Sequence, residues 1–163
     1  MRLCVLIIIS TFIFAHAYSI TQQNSGHRYS NLSYKEAILI LQGLDAIDGK
    51  KVGIGGTEGK FYALSLCMLP NIDTGRTSEL LSSKNPNLRV MGLLVLALSN
   101  DPIQNSKLKQ FRSDTASIMV FNYGCTGMLM DVGMVASLLI DNPYFFGNGP
   151  EDNPYGIDNK KKQ

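Results

Sequence analysis

The sequence predicts an all-α fold: a short right-handed array of antiparallel helix pairs, about six or seven helices following a signal peptide. Three observations predict it. Residues 85–99 read as a helix that is apolar almost all round, with Arg89 the only charge between Leu88 and Leu98, so other helices must cover it on more than one side. Cap-type residues, twice followed by proline, precede successive apolar runs. Apolar positions recur with a period of 28–29 residues, as stacked helical hairpins require when each covers its neighbour's apolar face.

The chain divides into four parts. Residues 1–17 read as a signal peptide: Arg2 supplies a positive start, Leu3 to Phe14 an apolar run, and Ala15-His16-Ala17 a small-x-small cleavage site. The run is shorter than the ~20 residues that span a bilayer, so no stable membrane anchor is expected after cleavage behind Ala17. Residues 18–31 form a polar, flexible leader, 32–146 a helical repeat-like domain and 147–163 a disordered tail. The predicted location is periplasmic or secreted.

Removing Arg2 with the signal lowers the net charge from +2 to +1, and Lys160, Lys161 and Lys162 crowd three positive charges at the end. The body therefore lacks the basic stripe that a phosphate backbone demands, and nucleic acid is not an expected partner. Two cysteines remain, Cys67 and Cys125. An oxidising compartment permits a disulfide between them, and two buried thiols are the alternative.

The helices follow in order. Ser33-Tyr34-Lys35-Glu36 is a capping box for a first helix carrying Ala37, Ile38, Leu41, Leu44, Ala46 and Ile47 and ending near Asp48-Gly49. Gly49 to Gly59 is a glycine-rich connector. Thr57 caps a second helix that runs to Leu69 and stops at Pro70. Asp73 or Thr74 opens a short third helix with Leu80 and Leu81. Asn85 and Pro86 open the central fourth helix; Asp101 and Pro102 open a fifth with Leu108 and Phe111. Asp114 caps a sixth segment, Thr115 to Tyr123, and a seventh runs from about Thr126 to Ile140. Ser117 to Phe121 has strong strand propensity, but no partner strand is evident, so helix is preferred. The aromatics Tyr144, Phe145 and Phe146 close one end of the core.

The repeat aligns Phe61 with Val90, Ala63 with Gly92, Leu66 with Val95 and Leu69 with Leu98, then Leu80 with Leu108 and Val90 with Ile118. Glu79-Leu80-Leu81, Asn85-Pro86-Asn87 and Leu88-Arg89-Val90-Met91-Gly92 together resemble a HEAT-type repeat: a short helix, a tight turn with Asn, then a longer apolar helix with Arg near its start. The likeness spans about Thr57 to Leu139 and implies a HEAT-like α-solenoid. The unit before the central one lacks the turn, and the unit after it has Ser117 in place of the arginine. A looser likeness joins Gly59-Lys60-Phe61-Tyr62-Ala63-Leu64 and Tyr123-Gly124-Cys125 to small exported bacterial helical proteins; it implies export and no particular activity.

Reactive chemistry finds little support. A phosphate-binding loop ending at Gly59-Lys60 needs glycine where Ile54 stands and a hydroxyl where Phe61 stands. Lys60 on the first turn of its helix is at most a weak anion site. The mature chain has one histidine, His27, in the leader, so nucleophilic triads and a transition-metal site lack their parts. Carboxylates could serve without histidine if two of Asp45, Glu58, Asp131 and Asp141 converged roughly 5–10 Å apart; Asp45 and Asp48 otherwise read as a solvated helix end. Met119, Met128, Met130 and Met134 suit either core filling or an adaptable binding surface. The sequence therefore predicts no catalytic, cofactor-binding or metal-ligating set. It points to an exported, non-enzymatic interaction module whose partner is another protein. A small carboxylate-dependent hydrolase, or an inhibitor or immunity-type protein of another exported protein, is the alternative.

Overall fold

A computed structural model describes residue 29 and residues 31–99, 102–122 and 124–147. The expected signal peptide, nearly all of the leader, His27, and all but the first residue of the tail lie outside the described residues.

The fold is mixed α/β, not the all-α solenoid that the apolar periodicity predicts. Among the described residues, six helices surround a three-stranded sheet of order β1-β2-β3. The helices are α1 (Tyr34–Gln42), α2 (Lys60–Met68), α3 (Thr74–Leu81), α4 (Pro86–Leu98), α5 (Pro102–Gln110) and α6 (Val132–Asp141). The strands are β1 (Ile47–Asp48), β2 (Ser117–Phe121) and β3 (Gly127–Asp131). β1 pairs parallel to β2, Ile47 opposite Val120, and β2 pairs antiparallel to β3, Ile118 opposite Met130.

Where local chemistry decides, the helices start as expected. Ser33 Oγ accepts from the Glu36 N–H, and the Glu36 carboxylate accepts from the Ser33 N–H at 2.8 Å. Asp73 accepts from the Arg76 N–H at 2.8 Å and opens α3. Asn85 Oδ1 accepts from the N–H groups of Asn87 and Leu88 and opens α4 at Pro86. Nearly every residue of α4 is buried, and it packs against α1, α3, α5 and α6. Gly92 lets α3 close on it: a Cβ there would lie 2.9 Å from the Leu81 side chain.

Elsewhere tertiary contacts overrule the sequence pattern. α1 stops at Gln42, well before Asp48-Gly49, because side chains of α4's first turn take over its last carbonyls. Asn85 Nδ2 donates to Gln42 O, and Asn87 Nδ2 donates to Leu41 O at 3.1 Å and Leu44 O at 2.8 Å. The chain beyond is released to form β1. Thr57 does not cap α2; it closes a turn on Val52, aided by the left-handed Gly53 and Gly56. α2 starts instead at Gly59, and Asp48 reaches over from β1 to accept from the Phe61 N–H at 2.5 Å. The glycine-rich connector is itself bonded down: Gly49 N–H donates to Phe121 O, Lys50 N–H to Phe146 O and Gly53 N–H to Gly124 O.

The sixth segment is strand β2, and the first part of the seventh is strand β3, so α6 begins only at Val132. The partners of β2 lie inside stretches that read as helix. The third unit of the repeat therefore fails: Ile118, aligned with helical Val90, sits in a sheet. Alternation then governs burial in β2, with Ile118 and Val120 inside and Ser117 outside; in β3 Met130 is inside and Leu129 and Asp131 outside, while Met128, on Met130's face, is also exposed. Phe146 seals one end of the core, edge-on to Phe61 at 5.2 Å and to Phe145 at 4.9 Å.

Candidate functional site

The surface best suited to a partner is the free side of the sheet. β3 is an edge strand. Val132 N–H donates to Ala116 O at 2.9 Å, which sets the alternation of the antiparallel ladder. Met130 and Met128 then exchange bonds with Ile118 and Val120, and the N–H and C=O of Leu129 point away from β2. Leu129 is 70% exposed, Met128 56% and Met134, just inside α6, 52%. The outward face is apolar as well. Met119 stands opposite Leu129 and Phe121 opposite Gly127. Gly127 has no Cβ because Phe121 occupies that space: one built there would meet the ring at 2.6 Å and the Met119 sulfur at 2.9 Å. Asp131 supplies the one charge on the strand, with the Ser117 hydroxyl 3.4 Å away. An edge that carries no lysine and that no other strand pairs among the described residues is a ready template for another strand.

Behind this edge the strand is anchored by an ion pair. Arg89 donates through Nε and Nη2 to the two carboxylate oxygens of Asp114, at 2.6 and 3.1 Å, and through Nη1 to Ser83 O and Lys84 O. Asp114 also accepts from the Ala116 N–H at 3.0 Å. Burial pushes the Asp114 carboxyl up, but Arg89 and the Ala116 N–H outweigh it and hold the group below its ordinary range. One guanidinium thus joins the α3–α4 turn to the approach to β2. The sequence marks Arg89 as the lone charge of its helix but offers Asp114 as a helix cap, a role it does not play.

The other residues singled out from the sequence are spread over the molecule. Asp131 precedes α6 and Asp141 ends it; at ~1.5 Å rise per residue they stand roughly 15 Å apart, beyond the spacing of a carboxylate pair. Asp45 is exposed, and Glu58 is half-buried near Cys67. The Cys67 thiol is half-buried and the Cys125 thiol exposed, and both are free. Burial, then the Glu58 carboxylate, push the Cys67 thiol up, away from the thiolate that nucleophilic chemistry uses. Lys60 is exposed on the first turn of α2, where the chain's own Asp48 carboxylate meets the helix N-terminus. Of the methionines, Met128 and Met134 face solvent, Met119 is half-covered and Met130 is buried. Among the described residues no three His, Cys, Asp or Glu side chains gather as metal ligands, and no helix is long and apolar enough to cross a membrane.

No protein-family model matches the chain, and no curated protein matches it.

Proposed function

We propose that the chain is exported behind residues 1–17 and acts without catalysis, as a module that docks another exported protein by strand addition. The partner contributes an extended, mainly apolar segment that pairs with β3, with a lysine or arginine placed to meet Asp131. The observation that carries this reading is the open β3 edge, whose Leu129 backbone faces outward while Leu129 and Met128 side chains lie exposed beside it. Main-chain hydrogen bonds supply affinity in such a mode, and alternate side-chain contacts supply specificity.

Site-specific photocrosslinking in the exported fraction tests it. A crosslinker at position 129 yields a heterologous adduct whose linked peptide is an extended apolar segment with a basic residue, while one at the equally exposed position 39 does not. Equal labelling at both positions, adducts only between copies of this chain, or no adduct would overturn the reading. Mass analysis of the secreted protein checks export: the chain begins at Tyr18.

A further inference from the structure

A cleft of about 590 Å³ opens between α3, the C-terminal half of α4 and α5, and it takes no part in the docking edge. We propose that it binds a neutral, polyhydroxylated ligand: a saccharide of about one or two rings, within the usual size range of small-molecule sites. Its floor is apolar, made by Ile72, Leu81, Val95, Leu96 and Phe111.

The two walls differ in hydrogen-bonding character. On the α3 side the hydroxyl protons of Thr77, Ser78 and Ser82 are already committed, and Thr74 adds a hydroxyl that can donate or accept. Thr77 donates to Asp73 O at 2.8 Å, Ser78 to Thr74 O at 3.1 Å and Ser82 to Ser78 O at 2.8 Å; at the end of α4, Ser99 donates to Leu96 O at 2.8 Å. A hydroxyl whose proton is spent still accepts through its remaining lone pairs, so this wall presents acceptors. Thr74 and Ser78 on α3 and Ser82 at its C-cap fall four residues apart, about 6 Å along the axis per step. The α5 side presents Gln104, Lys107 and Gln110: the Lys107 ammonium only donates, while each glutamine amide offers NH2 donors beside one acceptor oxygen, and none of the three makes a side-chain hydrogen bond among the described residues.

A sugar hydroxyl rotates to donate or accept as its partner requires, so one ring can give protons to α3 and receive them from α5 while its C–H face lies over Leu81, Val95 and Phe111. A peptide's N–H and C=O groups are fixed along its backbone, so it cannot turn each group to suit both walls as a rotating hydroxyl can. Asp73 and Lys107 bring one charge of each sign, so the cleft has no net charge with which to select an anion.

The test is amide chemical-shift titration of the mature chain with glucose, N-acetylglucosamine, maltose, cellobiose and chitobiose, with inorganic phosphate and tetra-alanine as controls. At least one saccharide should shift Ser78, Ser82, Ser99 and Lys107 saturably and leave Leu129 unmoved. The double variant Ser78→Ala/Gln104→Ala, at two non-core positions, should weaken it about tenfold, the effect of two lost hydrogen bonds. Gln110→Ala alone serves if the double variant loses its native amide dispersion. The proposal fails if no saccharide moves these amides at up to about 50 mM. It fails equally if phosphate or tetra-alanine binds more tightly, or if a folded variant keeps wild-type affinity.

Discussion

α4 and β3 are both rich in leucine and methionine, and they meet opposite fates. In α4, Leu93 and Met91 are fully buried, and the polar groups around them are satisfied within the chain: Asn85 and Asn87 close α1, and Arg89 closes on Asp114. In β3, Leu129 and Met128 lie in solvent beside backbone groups that no described strand pairs. The same residue types thus hold the fold together in one place and leave a surface to be covered in the other. Stability resides in the helical layer, and the proposed docking edge lies where that layer ends.

The contrast breaks first in the core. Leu93→Ala should cost about 2–5 kcal/mol, the range for truncating a fully buried leucine, read as a lower urea midpoint with an unchanged slope. Should it cost less than about 0.5 kcal/mol, α4 is not the sealed element described.

Arg89→Met comes next, because it strands a largely buried carboxylate. The pair's side chains are 13% and 17% exposed, so the loss should fall below that of a fully buried pair, about 2–3 kcal/mol. The pH dependence carries a definite sign. With the Asp114 carboxyl held below its ordinary value, its contribution is complete above about pH 4 and disappears as pH falls through the lower folded value. Urea midpoints measured across the acid range should therefore fall more steeply for the wild type than for Asp114→Asn. Asn87→Ala removes the partner of one carbonyl in the last turn of α1 and one just beyond it, and should cost about 1–3 kcal/mol, with extra amide exchange confined to Leu41–Asp45.

The smallest effect on stability belongs to the edge. Leu129→Lys should change the unfolding free energy by less than about 0.5 kcal/mol and yet abolish the heterologous adduct formed by a crosslinker moved to the neighbouring exposed position 128. A variant that unfolds readily would place Leu129 in the core instead.

Much of the helical layer was legible in the sequence because its signals are local. A capping box, an Asp before α3 and an Asn-Pro before α4 each state a helix start within four residues. The sheet was illegible for the opposite reason. β1 is two residues long and looked like the end of α1; β3, Gly-Met-Leu-Met-Asp, has no β-branched residue, and leucine and methionine favour helix when isolated. Only pairing with Ser117–Phe121 makes either a strand, and pairing across the 70-odd residues from β1 leaves no local mark. Arg89 stood out as a lone charge, but its partner lies 25 residues on. Of the proposed docking edge, Met128 and Met134 read in the sequence as candidates for an adaptable surface, while Leu129 reads as one more apolar residue of a helix.

Amide hydrogen exchange on the isolated protein at low concentration tests the division most directly. Val90–Leu98 should exchange only through global unfolding, while the outward-facing Leu129 amide exchanges close to the rate of an unprotected chain and becomes protected once the partner strand is bound. A Leu129 amide as slow as those of α4 in the isolated protein, or one unchanged in the complex, would contradict the proposed docking edge.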